Sequence, residues 1–91
     1  MSDADAAKTM ADARAAKQKG DLDTALKLCS DVIKAKPSSA EANYFAAWIL
    51  AEKDDTALAI GQFERAMKLG LSDSQMKEAQ GALKRLKARE Q

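Results

Sequence analysis

Apolar residues recur along this chain at intervals of three and four positions, the spacing of one face of an α-helix. The pattern repeats in five segments separated by short polar breaks. The first three segments cover about residues 4–19, 22–36 and 39–53. The fourth ends at Gly70, and the fifth covers about 73–89. Because all five share the helical period, the pattern predicts an all-α protein of five helices.

The breaks between the segments carry residues that end or cap helices. Gly20 permits the left-handed backbone conformation that commonly ends a helix, and Pro37 cannot continue one. Ser38 with Glu41, and Ser72 with Gln75, have the spacing of a capping box. Four further acids can cap exposed backbone amides: Asp3, Asp21, Asp54 and Asp55. Connections this short predict antiparallel helical hairpins.

Small residues return at one fixed spacing. Ala13, Ala47 and Gly81 are 34 positions apart (47 − 13 and 81 − 47), and so are Ala25 and Ala59 (59 − 25). A larger side chain at Ala25 or Ala59 would hold the two helices of a hairpin apart. A period of 34 residues is typical of stacked helix–turn–helix repeats.

The chain resembles a tetratricopeptide repeat (TPR) protein over nearly its whole length. The resemblance rests on Ala13, Ala47, Gly20-Asp21, Ala25, Ala59, Phe63, Ala66 and Pro37. It implies one TPR-like α-solenoid domain over residues 1–91. Repeat one would cover about 4–37, repeat two about 38–71, and a C-terminal capping helix about 73–89.

In this family the first helix of each hairpin lines a concave groove that holds a peptide of a partner protein. The resemblance implies that the partner-binding groove is lined by Met10, Arg14, Lys17, Tyr44, Trp48 and Glu52. Tyr44 and Trp48 lie one helical turn apart and share a face, so they are candidate anchors for the partner. The alternative is that both rings are core, because residues 44–51 are apolar on every side.

Charge narrows the range of partners. The chain has 15 Lys and Arg against 14 Asp and Glu, a net charge of +1, which gives no long-range attraction to nucleic acid or an anionic membrane. The N-terminal segment lacks the apolar stretch of a signal peptide, and no run reaches the length of a membrane span. We therefore expect a cytoplasmic protein with neither nucleic-acid nor membrane partners.

The residue types present give little support for catalysis. The chain has no histidine, the commonest acid–base residue and metal ligand. Its single cysteine, Cys29, lies among apolar residues at helical spacing and is expected to be buried rather than nucleophilic. We expect no enzyme activity, no cofactor and no metal.

Two functions of different classes remain open. The first is an adaptor or scaffold whose groove, centred on Tyr44 and Trp48, binds a peptide or helix of another protein. The second is a self-assembling structural module, a homo-oligomer formed through the apolar third helix or through the open ends of the repeat stack.

Overall fold

The computed structural model describes residues 1–90, which form five α-helices joined by short turns, with no β-strand in that range. The helices are α1 (Asp3–Gln18), α2 (Leu22–Ala35), α3 (Ala40–Glu52), α4 (Thr56–Leu69) and α5 (Asp73–Arg89). The all-α prediction is confirmed, and each predicted helix end lies within one residue of the observed one.

The helices follow one another as a short α-solenoid of two hairpins and a fifth helix. α1 packs mainly against α2 and α3 mainly against α4, while α2 with α3 and α4 with α5 join successive units. The radius of gyration of 12.5 Å is close to the roughly 12 Å expected for a compact chain of this length. None of the helices within residues 1–90 is long and apolar enough to cross a membrane.

Helix α3 is apolar on all sides because it belongs to two hydrophobic clusters. Ala46 and Ile49 pack with α1 and α2 around Val32, whereas Ala47 and Leu50 pack with α4 and α5 around Phe63. Both clusters are formed within one chain. The apolar character of α3 is therefore explained by packing on opposite sides, without a second copy to cover it.

The small residues of the 34-residue period do not all have the same role. Ala13, Ala25, Ala47 and Ala59 are fully buried at helix contacts. Gly81 is only half-buried, and a Cβ atom added there would meet just one neighbour, Arg85 Nη1 at 3.5 Å, which is an ordinary van der Waals contact. The grouping of Gly81 with the close-packed alanines is therefore wrong, because α5 does not need a glycine at this position.

The two hairpin turns are built alike although their residues differ. Gly20 adopts φ +83°, and Asp54, one period later, adopts φ +61° in the same left-handed region. Asp21 then caps α2 by accepting a hydrogen bond from the Thr24 amide at 3.2 Å. Asp55 is the N-cap residue of α4, as the sequence predicts, but its side chain makes no capping hydrogen bond.

Two other caps are displaced by one residue from the sequence prediction. Ser39, not Ser38, caps α3 by accepting from the Ala42 amide at 3.2 Å. The turn after Pro37 brings the Ser39 amide to the Lys36 carbonyl at 3.0 Å, which moves the helix start forward. Ser2, not Asp3, caps α1 in a capping box with Asp5. The predicted box of Ser72 and Gln75 is confirmed.

Candidate functional site

Helices α1, α3 and α5 contribute polar contacts to one continuous surface, which we call the odd-helix face. Arg14 Nη1 lies 3.6 Å from Glu41 Oε2, and Lys17 Nζ lies 3.1 Å from Glu52 Oε1. Both pairs connect α1 to α3. The Tyr44 hydroxyl connects α3 to α5. This face carries most of the predicted groove residues.

The structure gives Met10 a different location from the prediction. Its side chain is only 2% exposed and belongs to the cluster formed with α2 and α3. A residue buried to this extent offers no surface to a partner, so Met10 is a core residue and not part of the groove. Arg14, Lys17 and Glu52 keep enough exposed side chain to contact a ligand.

Tyr44 is a core residue with one polar contact. Its side chain is 8% exposed, and its hydroxyl donates a hydrogen bond of 2.7 Å to Glu78 Oε2. Burial of the phenol, followed by its hydrogen bond to the Glu78 carboxylate, raises the pKa of Tyr44 above its ordinary value. Because the Tyr44 ring packs within the chain and its hydroxyl is hydrogen-bonded to Glu78, Tyr44 lies beneath the odd-helix face and is not available to a partner.

Trp48 is half-buried and lies at the boundary between core and surface. Its ring packs edge to face on Phe63, with centroids 5.0 Å apart, and on Tyr44 at 6.1 Å. Such pairs contribute about 0.5–1.5 kcal/mol each beyond the area that they bury. The sequence left open whether Tyr44 and Trp48 are groove or core residues, and the structure gives a different answer for each. Tyr44 is a core residue, whereas Trp48 packs on the core and still reaches solvent.

An open pocket of about 230 Å³ lies beside Trp48, between α3 and α5. It is lined by Trp48, Ala51, Glu52, Ala82, Arg85, Leu86 and Arg89. Ala82 stands one period after Trp48, so α5 presents a methyl group where α3 presents an indole. This difference in size leaves the space that the pocket occupies.

The groove predicted from the sequence does not include Arg85 and Arg89. They are four residues apart on α5 and therefore lie on one side of the helix. The available signal was the 34-residue period, which pairs Arg85 with Ala51 on α3. The period identifies Arg85 as a pocket residue only when α5 is known to lie beside α3.

The charges around the pocket leave a positive excess. Glu52 is already paired with Lys17. Arg89 Nη1 lies 3.9 Å from Asp54 Oδ1, with both side chains more than half exposed, and a pair of this kind contributes little. Arg85 forms no ion pair with any carboxylate of residues 1–90. The pocket thus combines an indole wall with a guanidinium group that forms no ion pair within residues 1–90.

Cys29 has the properties of a packing residue. It is fully buried, and desolvation raises the pKa of its thiol to about 11. The thiolate is the nucleophilic form of cysteine, so this environment disfavours reaction. Within the part of the chain that the structure describes, no three His, Cys, Asp or Glu side chains are grouped to hold a metal ion.

No family model matches the chain, and no curated protein matches it either.

Proposed function

We propose that this protein is a non-enzymatic interaction module of the TPR type, an adaptor or scaffold that binds a peptide segment of a partner protein on the odd-helix face. The observation that carries the proposal is the Trp48 pocket, where a rigid aromatic ring reaches solvent beside Arg85, a residue without an ion pair in the described part of the chain. Tryptophan and arginine are the residue types most enriched among the side chains that dominate binding energy at protein interfaces.

The size of the pocket favours a side chain of a peptide over a free small molecule. Its volume of about 230 Å³ is below the roughly 300–1,000 Å³ typical of small-molecule sites. The surface continues from the pocket across Glu52 at the end of α3 to Lys17 on α1, which offers further contacts to an extended chain. A peptide can use both, whereas a small molecule could use only the pocket.

The charge of the pocket favours an acidic ligand. Arg85 and Arg89 lie on one wall, and a carboxylate between them would gain charge-assisted hydrogen bonds. Trp48 on α3 and Leu86 on α5 supply apolar contact in the same pocket. We therefore expect the preferred peptide to place an acidic residue next to a large apolar one.

The same proposal includes a cytoplasmic location and the absence of a cofactor. The buried Cys29 thiol, whose raised pKa of about 11 keeps it protonated, supports a non-enzymatic function, because the chain has no other thiol. The alternative, self-assembly through α3, has less support, since the apolar sides of α3 are buried within one chain.

A peptide library displayed on phage tests the proposal. Selected peptides are synthesised with a fluorescein label, and their binding to the wild type and to each variant is followed by fluorescence anisotropy. We expect Trp48→Ala to weaken binding at least tenfold, which corresponds to about 1.4 kcal/mol, and Arg85→Glu to abolish the preference for acidic residues. Arg85 is exposed, so its substitution leaves the fold intact.

Leu58→Ala is the matched control, because Leu58 is a large apolar residue on α4 that is 58% exposed and lies outside the odd-helix face. Circular dichroism verifies the helix content of each variant. Failure of the wild-type protein to enrich any sequence, or equal enrichment by Arg85→Glu, would contradict the assignment of this face.

A further inference from the structure

Among residues 1–90, the side chains that line the Trp48 pocket include a single acid. The ionisable lining residues are Glu52 at the end of α3 and Arg85 and Arg89 on α5. An anionic ligand that lies between the two arginines therefore shares the pocket with a carboxylate of the protein itself. Like charges brought together disfavour binding, so Glu52 limits which anions the pocket accepts.

The ion pairs around the pocket leave its charge balance unchanged. Two arginines and one glutamate give the lining a net charge of +1. Lys17 Nζ lies 3.1 Å from Glu52 Oε1, and Asp54 Oδ1 lies 3.9 Å from Arg89 Nη1. These neighbours add one cation and one anion, so the net charge is +1 with or without them.

Glu52 is held at the pocket more firmly than Arg89 is held at its rim. The side chains of Glu52 and Lys17 are 47% and 30% exposed, and partly buried ion pairs are screened less by salt than exposed ones. Arg89 and Asp54 are 59% and 89% exposed and lie further apart. A ligand can therefore draw Arg89 away from Asp54, whereas the Glu52 carboxylate stays in the pocket.

The charge of a ligand acts on its binding in two opposing ways. Its attraction to a fixed net charge grows in proportion to its own charge, whereas the cost of taking an ion out of water grows with the square of that charge. A carboxylate carries one negative charge, and a phosphorylated side chain carries about −1.5 to −2 at pH 7. A pocket with a net charge of +1 therefore favours the carboxylate.

We propose that Glu52 is the specificity-determining residue of the Trp48 pocket, and that it restricts the acidic position of the bound peptide to an unmodified aspartate or glutamate. A phosphorylated serine or threonine at that position is disfavoured. The proposal rests on the peptide-binding function proposed above and adds the class of acidic group that the pocket takes.

Two synthetic peptides that differ only in the acidic group test this proposal. Both have the sequence Gly-Ser-X-Leu-Ser-Gly with acetylated and amidated ends, where X is glutamate in one and phosphoserine in the other. Binding to the full chain is followed by NMR through the indole N–H of Trp48, which gives one signal because the chain has one tryptophan. At pH 7 we expect the glutamate peptide to bind at least threefold more tightly.

The same measurement at pH 5.5 supplies a test without any substitution. The second pKa of a phosphorylated side chain is about 6, so the phosphoserine becomes largely a monoanion at this pH. The glutamate of the other peptide keeps its charge, since its ordinary pKa is about 4.3. We expect the preference for the glutamate peptide to shrink to less than twofold.

Variants of the ion pair assign the selectivity to Glu52. Glu52→Gln is expected to tighten binding of the glutamate peptide about threefold and that of the phosphoserine peptide about tenfold, which removes the preference. Lys17→Met removes the compensating cation and is expected to weaken both peptides, the phosphoserine peptide more. Exposed ion pairs contribute little to stability, and circular dichroism verifies the helix content of each variant.

Glu41→Gln is the matched control. Glu41 lies on the same helix and forms the same kind of ion pair, with Arg14 at 3.6 Å, but it does not line the pocket. This substitution makes the same change in net charge, and we expect it to leave the ratio of the two affinities unchanged.

The possible failures of this proposal differ from failure of peptide binding itself. Equal or tighter binding of the phosphoserine peptide by the wild type at pH 7 would overturn the proposal and leave peptide binding intact. An unchanged ratio in Glu52→Gln, or the same change of ratio in Glu41→Gln, would overturn the role of Glu52. If neither peptide shifts the indole signal, the proposed function of this face fails together with the inference.

Discussion

The hydrogen bond between Tyr44 and Glu78 makes a quantitative prediction about how α5 is attached to the stack. The Tyr44 hydroxyl donates to Glu78 Oε2 at 2.7 Å across 34 residues of sequence. The ring also packs against Trp48 and Phe63, with centroids 6.1 Å away in each case. Tyr44→Phe keeps the ring and removes only the hydroxyl, so it isolates the polar contact.

The expected cost follows from the charge and exposure of the two partners. A hydrogen bond to a charged group contributes about 1.5–3 kcal/mol to the free energy of unfolding. Glu78 is exposed, so water replaces the lost donor and reduces the cost to about 1 kcal/mol. In a domain of this size, that loss lowers the melting temperature by about 4–8 °C.

Thermal and urea unfolding followed by circular dichroism measure this cost. The double-mutant cycle with Glu78→Ala should return a coupling energy of about 1 kcal/mol, so that Glu78→Ala has little effect once Tyr44→Phe is present. The pKa of Tyr44 is raised in the folded state. The wild type should therefore have its full excess free energy of unfolding over Tyr44→Phe below the ordinary phenol pKa of 10.0, and should lose it as the pH rises above that value. Equal melting of wild type and Tyr44→Phe, or additive single-variant costs, would refute this reasoning.

Three further predictions concern packing, turns and the thiol, each measured by unfolding. Ala47→Leu should destabilise the fold by about 1–3 kcal/mol through overpacking, whereas Gly81→Ala should stabilise it by up to about 1 kcal/mol, since its new Cβ fits. Gly20→Ala should cost about 1–2 kcal/mol because φ is +83°, while Gly61→Ala, with open space around it, should be stabilising. Because the pKa of Cys29 is raised from 9.0 to about 11, wild-type stability should fall more steeply than that of Cys29→Ala between those pH values. The packing argument would be contradicted if Gly81→Ala were less stable than Ala47→Leu, and the turn argument if Gly61→Ala were less stable than Gly20→Ala. Parallel stability-against-pH profiles of the wild type and Cys29→Ala would contradict the argument about the thiol.

The helices and hairpins were predictable from the sequence because their signals are local. Apolar spacing, the left-handed conformation at Gly20 and the capping box at Ser72 act over a few residues, and no distant contact opposes them. The caps of α1 and α3 were displaced by one residue, since two polar residues that can cap stand side by side in each case. Only backbone geometry selects Ser39 over Ser38.

The surface was less predictable because exposure depends on which helix lies beside which. Met10 and Arg14 are one turn apart on α1, yet one is buried and the other exposed. Tyr44 and Trp48 differ in the same way, because Glu78 and Phe63 enclose the first while Ala82 leaves the second open. These distinctions depend on side chains between 19 (63 − 44) and 34 (78 − 44) residues away in the sequence.

The Trp48 pocket arises where a position changes size between repeats. Ala82 on α5 replaces the indole that α3 carries at Trp48, and the missing volume becomes the pocket between the two helices. In a stack of equivalent units, helices can be superposed by their common spacing, so the pocket is located by comparing α5 with α3 position by position. The function of this chain should accordingly be sought where α3 and α5 border this pocket.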